Sequence, residues 1–133
     1  MQVRASHHTL EEINVSVSYT EEFVQPGLRL VHLFGALDTA GAMVIEDGFT
    51  KMLIDGDCSV IVDISEVDFV SSYGMRMLLI AAKRVHDSGC ELHLAGPRPH
   101  IMNVLTIAGY HELFPIHQSV DEARHFLTGE IPQ

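Results

Sequence analysis

Near the middle of the chain, Ser71-Ser72-Tyr73-Gly74 sets two hydroxyls and a phenol beside a glycine, where an apolar run gives way to a helical pattern. A serine at such a junction has three uses. Ser72, standing where an N-cap belongs, can accept from a backbone N–H of the following helix, worth about 1 kcal/mol. It can be a nucleophile: Ser72-Tyr73-Gly74 supplies half of a nucleophile elbow, although Val70 occupies the position where that motif needs glycine. Asp121 and His125 would complete a Ser-Asp-His order, but they lie one turn apart on a single terminal helix. Or the hydroxyl can take a phosphate. A helix start welcomes that anion, and an added charge of about −1.5 to −2 remakes or blocks an interface without unfolding the domain.

Other reactive side chains are scattered. The nine histidines are His7, His8, His32, His86, His93, His100, His111, His117 and His125, and no pair within the domain has ligand spacing. His32 and His93 fall inside strands and read as hydrogen-bonded structural residues. The His7-His8 pair belongs to a polar terminus. Cys58 and Cys90 lack the close spacing of a zinc or redox motif and read as buried free thiols in a reducing compartment, with a disulfide left open. No metal, cofactor or catalytic group is expected.

The elements that must hold the Ser71–Gly74 turn are legible from periodicity. Ile13 to Tyr19 alternates as a half-buried strand, Pro26-Gly27 turns, and Leu28 to Phe34 forms a second strand antiparallel to it. Asp38 or Thr39 caps a helix with Ala42, Ile45, Phe49, Met52 and Leu53 on one side. Val60 to Ile64 is a continuous apolar run suited to a central parallel strand. A helix follows from about Tyr73, with Met75, Leu78, Leu79, Ala82 and Val85 on its core face. Tyr73, Met77 and Ile80 make a second apolar strip, and Arg76 and Lys83 share the polar side. Leu92 to Ala95 is a core strand, Pro99 opens a helix carrying Ile101, Val104, Leu105 and Ala108, and Leu113 to Ile116 is a last short strand. Ser119 with Glu122 is a capping box for a final helix.

This order predicts a single α/β domain with a mostly parallel central sheet of about five strands, four helices and an antiparallel N-terminal strand pair. Its bounds are a flexible tail over 1–11, the domain over 12–129 and a short C-terminal tail over 130–133. The 133 residues are 47% hydrophobic and 20% charged, enough apolar content for a core. The formal net charge of −10 disfavours nucleic acid and anionic membrane surfaces, because the basic residues form no patch. No run is long enough to span a bilayer and the start is polar, so a cytoplasmic protein is expected.

The stretch Asp63-Ile64-Ser65-Glu66-Val67-Asp68-Phe69-Val70-Ser71-Ser72-Tyr73-Gly74-Met75 resembles the STAS domain family, that of anti-sigma factor antagonists and of sulfate-transporter cytoplasmic tails. The family pattern D-x-S-x-V-x-x-[apolar]-D-S-[ST]-G-[LM] is matched by Asp63, Ser65, Val67, Val70, Ser72, Gly74 and Met75. Gly35-Ala36-Leu37-Asp38 resembles the family's G-x-L-D, and Leu105 to Tyr110, Leu113 to Ile116 and Ser119 to Ala123 resemble its closing segment, so the likeness runs over about 13–128. It implies that Ser72 is a phosphoacceptor. It further implies that the unphosphorylated protein binds an anti-sigma factor with serine kinase activity, and that phosphorylation ends the binding and so regulates sigma-factor-dependent transcription. The implied partner-facing residues are Asp38, Ser71, Tyr73, Gly74, Met75, Arg76 and Met77. A phosphatase would reset the switch. Two positions depart from the pattern: Ser71 stands for the family's aspartate and Tyr73 for its small Ser or Thr. Ser71 is thereby a second candidate acceptor, and a constitutive, never phosphorylated STAS adaptor of a membrane transporter or sensory complex is the rival reading.

Overall fold

Stretches of alternating and continuous apolar residues in the chain build one sheet with helices on both faces. The computed structural model describes residues 2–5, 16–55 and 59–129. Its strands are β1 (Gln2–Ala5), β2 (Val17–Gln25), β3 (Leu28–Leu37), β4 (Ser59–Val70), β5 (Leu92–Ala95) and β6 (Ile116–His117). Its helices are α1 (Thr39–Ile54), α2 (Ser72–Asp87), α3 (Pro99–Ile107) and α4 (Val120–Thr128), with a 3-10 turn at Tyr110–Glu112. The strands lie in sequence order. β1, β2 and β3 pair antiparallel, and β3 through β6 run parallel.

Strand alternation divides the side chains between two cores. Val31 and Leu33 of β3 with Val60, Val62 and Ile64 of β4 point to the face covered by α1 and α2, where Phe49, Leu53, Leu78 and Val85 meet them. Ile101 and Leu105 of α3 and Phe114 close the end of this core. Leu28, Leu30, Ile61 and Ala95 point the other way and are covered by Ala123 of α4. Tyr19 and Phe49 meet edge to face at 5.2 Å, tying β2 to α1.

Four sequence expectations need correction. Gln2–Ala5, assigned to a flexible tail, forms an edge strand in register with Tyr19–Glu22. The first predicted strand ended at Tyr19, but it runs on to Gln25; its predicted start over 13–15 lies outside the described residues. The predicted strand ended at Ile64, but β4 extends to Val70, so all of residues 65–70 up to Ser71 are strand. The last strand is Ile116–His117, because Leu113 and Phe114 follow the 3-10 turn and Leu113 is exposed. The 130–133 tail, Cys58 and His7-His8 lie outside the described residues, while Cys90 is a half-buried free thiol.

Candidate functional site

β3 and β4 end together: Leu37 and Val70 are register partners, and the next residue of each chain segment caps a helix. Asp38 caps α1, its Oδ1 accepting from Gly41 N at 2.7 Å. Ser71 caps α2, its Oγ accepting from Gly74 N at 3.0 Å. Each cap satisfies one of the donors that a helix start leaves unpaired. The two caps are also stapled to each other. The Leu37 carbonyl accepts from Ser71 N at 2.9 Å and from Ser71 Oγ at 3.2 Å. Two helix N-termini therefore emerge side by side at the carboxyl edge of the sheet, where parallel-sheet proteins place their functional groups.

The cap is Ser71 and not Ser72, which corrects the sequence reading by one residue. Ser72 is the first residue of α2; it is exposed, and among the described residues its hydroxyl has no hydrogen-bond partner. Ser71 is the engaged hydroxyl, donating to Leu37 and accepting from Gly74. The Asp38 cap places a carboxylate at the start of α1, whereas α2, capped by Ser71, has no acidic residue in its first turn, so no carboxylate competes there for the helix dipole.

The remaining candidates divide by burial. Gly74 is buried because a Cβ there would come within 2.6 Å of the Leu37 carbonyl oxygen, which explains glycine in a helical first turn. Gly35 serves the neighbouring segment: at φ 93° it lets β3 pass Ser16, whose carbonyl oxygen a Cβ would meet at 1.8 Å. Met77 is 2% exposed and belongs to the core, so it does not form the outward strip expected with Tyr73 and Ile80. Met75 is half-buried against that core, and Arg76 is exposed. Tyr73 donates its hydroxyl to Glu46 of α1. That bond, helped by burial, pushes the phenol above its usual range. Tyr73 thus bridges α2 to α1 and leaves Ser72 uncovered.

The nucleophile reading fails on topology. α2, headed by Ser72, packs on one face of the sheet, and α4, carrying Asp121 and His125, packs on the other. Among the described residues no group of three or more His, Cys, Asp or Glu is placed to hold a metal ion. His32 bridges Asp63 at 2.8 Å and Glu22 at 3.2 Å, and His93 bonds His117 at 2.9 Å, so both strand histidines are hydrogen-bonded as expected. Sequence reasoning missed the Leu37 carbonyl, Glu46 and His117. A backbone acceptor leaves no mark in residue type. The bulky Tyr73 was the one available hint that α2 needs a partner on α1.

Among the described residues no helix is long and apolar enough to cross a membrane. In comparison with known proteins, the chain is 28% identical over 107 residues to BtrV of Bordetella bronchiseptica, a proposed anti-sigma factor antagonist, covering 80% of this chain and 92% of that one. Its fold is similar to that of the anti-sigma factor antagonist SpoIIAA in its unphosphorylated form, with a TM-score of 0.70 at 19% identity over 86% of this chain and 99% of that one. The phosphorylated form of the Bacillus cell fate determinant SpoIIAA superposes with a TM-score of 0.62 at 19% identity over 82% and 98%. A sulfate transporter family protein from Wolinella succinogenes gives 0.68 at 18% identity over 83% and 93%. At these identities the structural likenesses speak for the fold alone. The STAS domain model matches residues 20–123, a span that includes both helix caps, Ser72 and the sheet beneath them, and the chain belongs to the STAS domain family.

Proposed function

We propose that the protein is a cytoplasmic anti-sigma factor antagonist that works as a phosphoswitch and not as an enzyme. Unphosphorylated, it binds an anti-sigma factor with serine kinase activity through the Asp38 segment and the start of α2. Phosphate on Ser72 ends the binding, a phosphatase restores it, and sigma-factor-dependent transcription follows the cycle. The observation that carries this reading is the Ser72 hydroxyl, exposed and unpartnered at the head of α2, directly beside a cap that is fully used. A phosphate at that position gains from the helix start while adding charge to a contact surface. The names of the relatives, one described in both unphosphorylated and phosphorylated forms, support the same reading.

A kinase can reach Ser72, whereas phosphate on Ser71 would require breaking the Leu37 staple. Incubation with the cognate kinase followed by mass spectrometry tests this. Modification at Ser72 is expected, and phosphate on neither serine would sink the switch. Ser72→Asp should weaken partner binding, and Ser72→Ala should bind but resist release.

The second reading is a constitutive STAS adaptor of a transporter or sensory complex. Tyr73, held to Glu46 beside the acceptor, and Ser71 in place of a carboxylate favour it. A pull-down from native lysate separates the two: a kinase-containing anti-sigma factor supports the switch, a transporter subunit the adaptor.

A further inference from the structure

Arg29 and Arg98 are each committed within the fold, and Arg76 is not. Arg29 pairs with Glu21 at 2.6 Å and donates to the Met52 and Leu53 carbonyls near the end of α1. Arg98 donates to the Ser65 carbonyl at 3.0 Å and lies 3.8 Å from Glu66. Arg76 is exposed on α2 and, among the described residues, has no hydrogen-bond or ion-pair partner. Its charge is nevertheless felt by two phenols. Tyr73 is raised first by its bond to Glu46 and then by burial, Tyr110 is raised by burial, and in both the Arg76 charge pulls the other way. The cation therefore acts at the head of α2 and at the 3-10 turn alike.

Arg76 follows Ser72 by one helical turn, four residues on, and both side chains are exposed. Residues at i and i+4 share a helix face with Cβ atoms about 5–6 Å apart, and an anion N-terminal to its cation is the favourable order. This pair lacks only its anion, because α2 has no acidic residue in its first turn. Over residues 72–82 Arg76 is also the one cation. The other charges beside the head of α2 are negative. Asp38 caps the neighbouring helix, Glu46 accepts from the Tyr73 hydroxyl, and Asp47 acts on the same phenol.

We infer that Arg76 is the internal clamp for a phosphate on Ser72, its guanidinium donating to the phosphate oxygens across one turn of α2, so that modification masks a cation which the unmodified surface presents. The inference rests on the reading of Ser72 as the acceptor. A guanidinium can offer a phosphate two parallel N–H groups, and such charge-assisted bonds are stronger than neutral ones. The signs of the surrounding charges are definite. Asp38, Glu46 and Asp47 favour the singly charged phosphate and raise its second ionisation. Arg76 favours the doubly charged form and lowers it.

Phosphoserine inserted at position 72 during translation of the full chain tests the clamp without a kinase. Phosphorus NMR follows the second ionisation of the phosphate, ordinarily near pH ~6. In Arg76→Gln it should rise by at least about 0.3 pH unit. Arg76→Lys, which keeps the charge and loses the fork, should restore at least about half of the lowering. Lys83, eleven residues after Ser72 on the same helix, is the control. It lies about 16 Å along the axis, beyond the Debye length of about 10 Å at about 0.1 M salt, so Lys83→Gln should move the ionisation by less than about 0.1 unit. The clamp is overturned by equal ionisation in the natural chain and Arg76→Gln, by a lysine variant as high as the glutamine one, or by an equal rise in Lys83→Gln. The two failures are separable: a kinase that leaves Ser72 unmodified sinks the switch, whereas an unchanged ionisation sinks the clamp alone.

Discussion

The two faces of the sheet are built on different physics. On the α1 and α2 face, Phe49, Leu33, Leu37, Ile64 and Leu78 are essentially solvent-free and almost wholly apolar. On the α4 face the apolar cluster is small, and a histidine pair fills the place that aliphatic groups hold opposite. The first face is bound by non-directional burial, insensitive to pH, and it carries the two stapled helix starts. The second relies in part on a directional contact between two ring side chains. Ser72 heads a helix that packs on the dry face, so its position is set by burial.

This contrast can be broken most severely at Phe49. Phe49→Ala should remove about 3–5 kcal/mol of unfolding free energy, read from urea denaturation, because the residue is fully buried and meets Tyr19 edge to face. Gly74→Ala should cost about 1–3 kcal/mol by forcing a Cβ onto the Leu37 carbonyl, and should weaken partner binding by parting the two helix starts. Ser71→Ala removes both the cap and the staple; a loss of about 1 kcal/mol in the same measurement is expected, with the Ser72 hydroxyl left free. The smallest effect belongs to the other face. Phe126 is 66% exposed, and Phe126→Ala should cost less than about 1 kcal/mol. A loss at Phe126 equal to that at Phe49 would erase the distinction between the faces.

Much of this architecture was legible in residue order. The run Val60 to Ile64 is a buried parallel strand, the α1 spacing does place Ala42, Ile45, Phe49 and Leu53 inward, and Ser119 caps α4 with its hydroxyl. In the α2 stripe Leu78, Ala82 and Val85 are buried as read, but its edge is misplaced. Gly74, Met77 and Ala81 are buried, while Met75 and Leu79 are only half-buried. The cause is the same as for the cap. A turn with two adjacent serines offers two caps of equal propensity, and the choice fell to the Leu37 carbonyl, which reaches only Ser71. The edge strand Gln2–Ala5 escaped because four residues show no period to detect. The capping box also departs from its pattern: Glu122 accepts from Gln118 N and not from the cap itself.

Local patterning by itself determined the class of fold, the strand–turn–helix at Ser71–Gly74 and the absence of any basic surface. Periodicity and turn chemistry act over a few residues, and composition acts over the whole chain. Which serine is free was decided only in three dimensions. Leu37 and Ser71 are 34 residues apart, and a hydrogen bond from one serine to a backbone carbonyl exists only once β3 and β4 lie in register. The histidine pair is tertiary for the same reason, since His93 and His117 stand on neighbouring strands 24 residues apart and their rings meet only when the sheet brings them together.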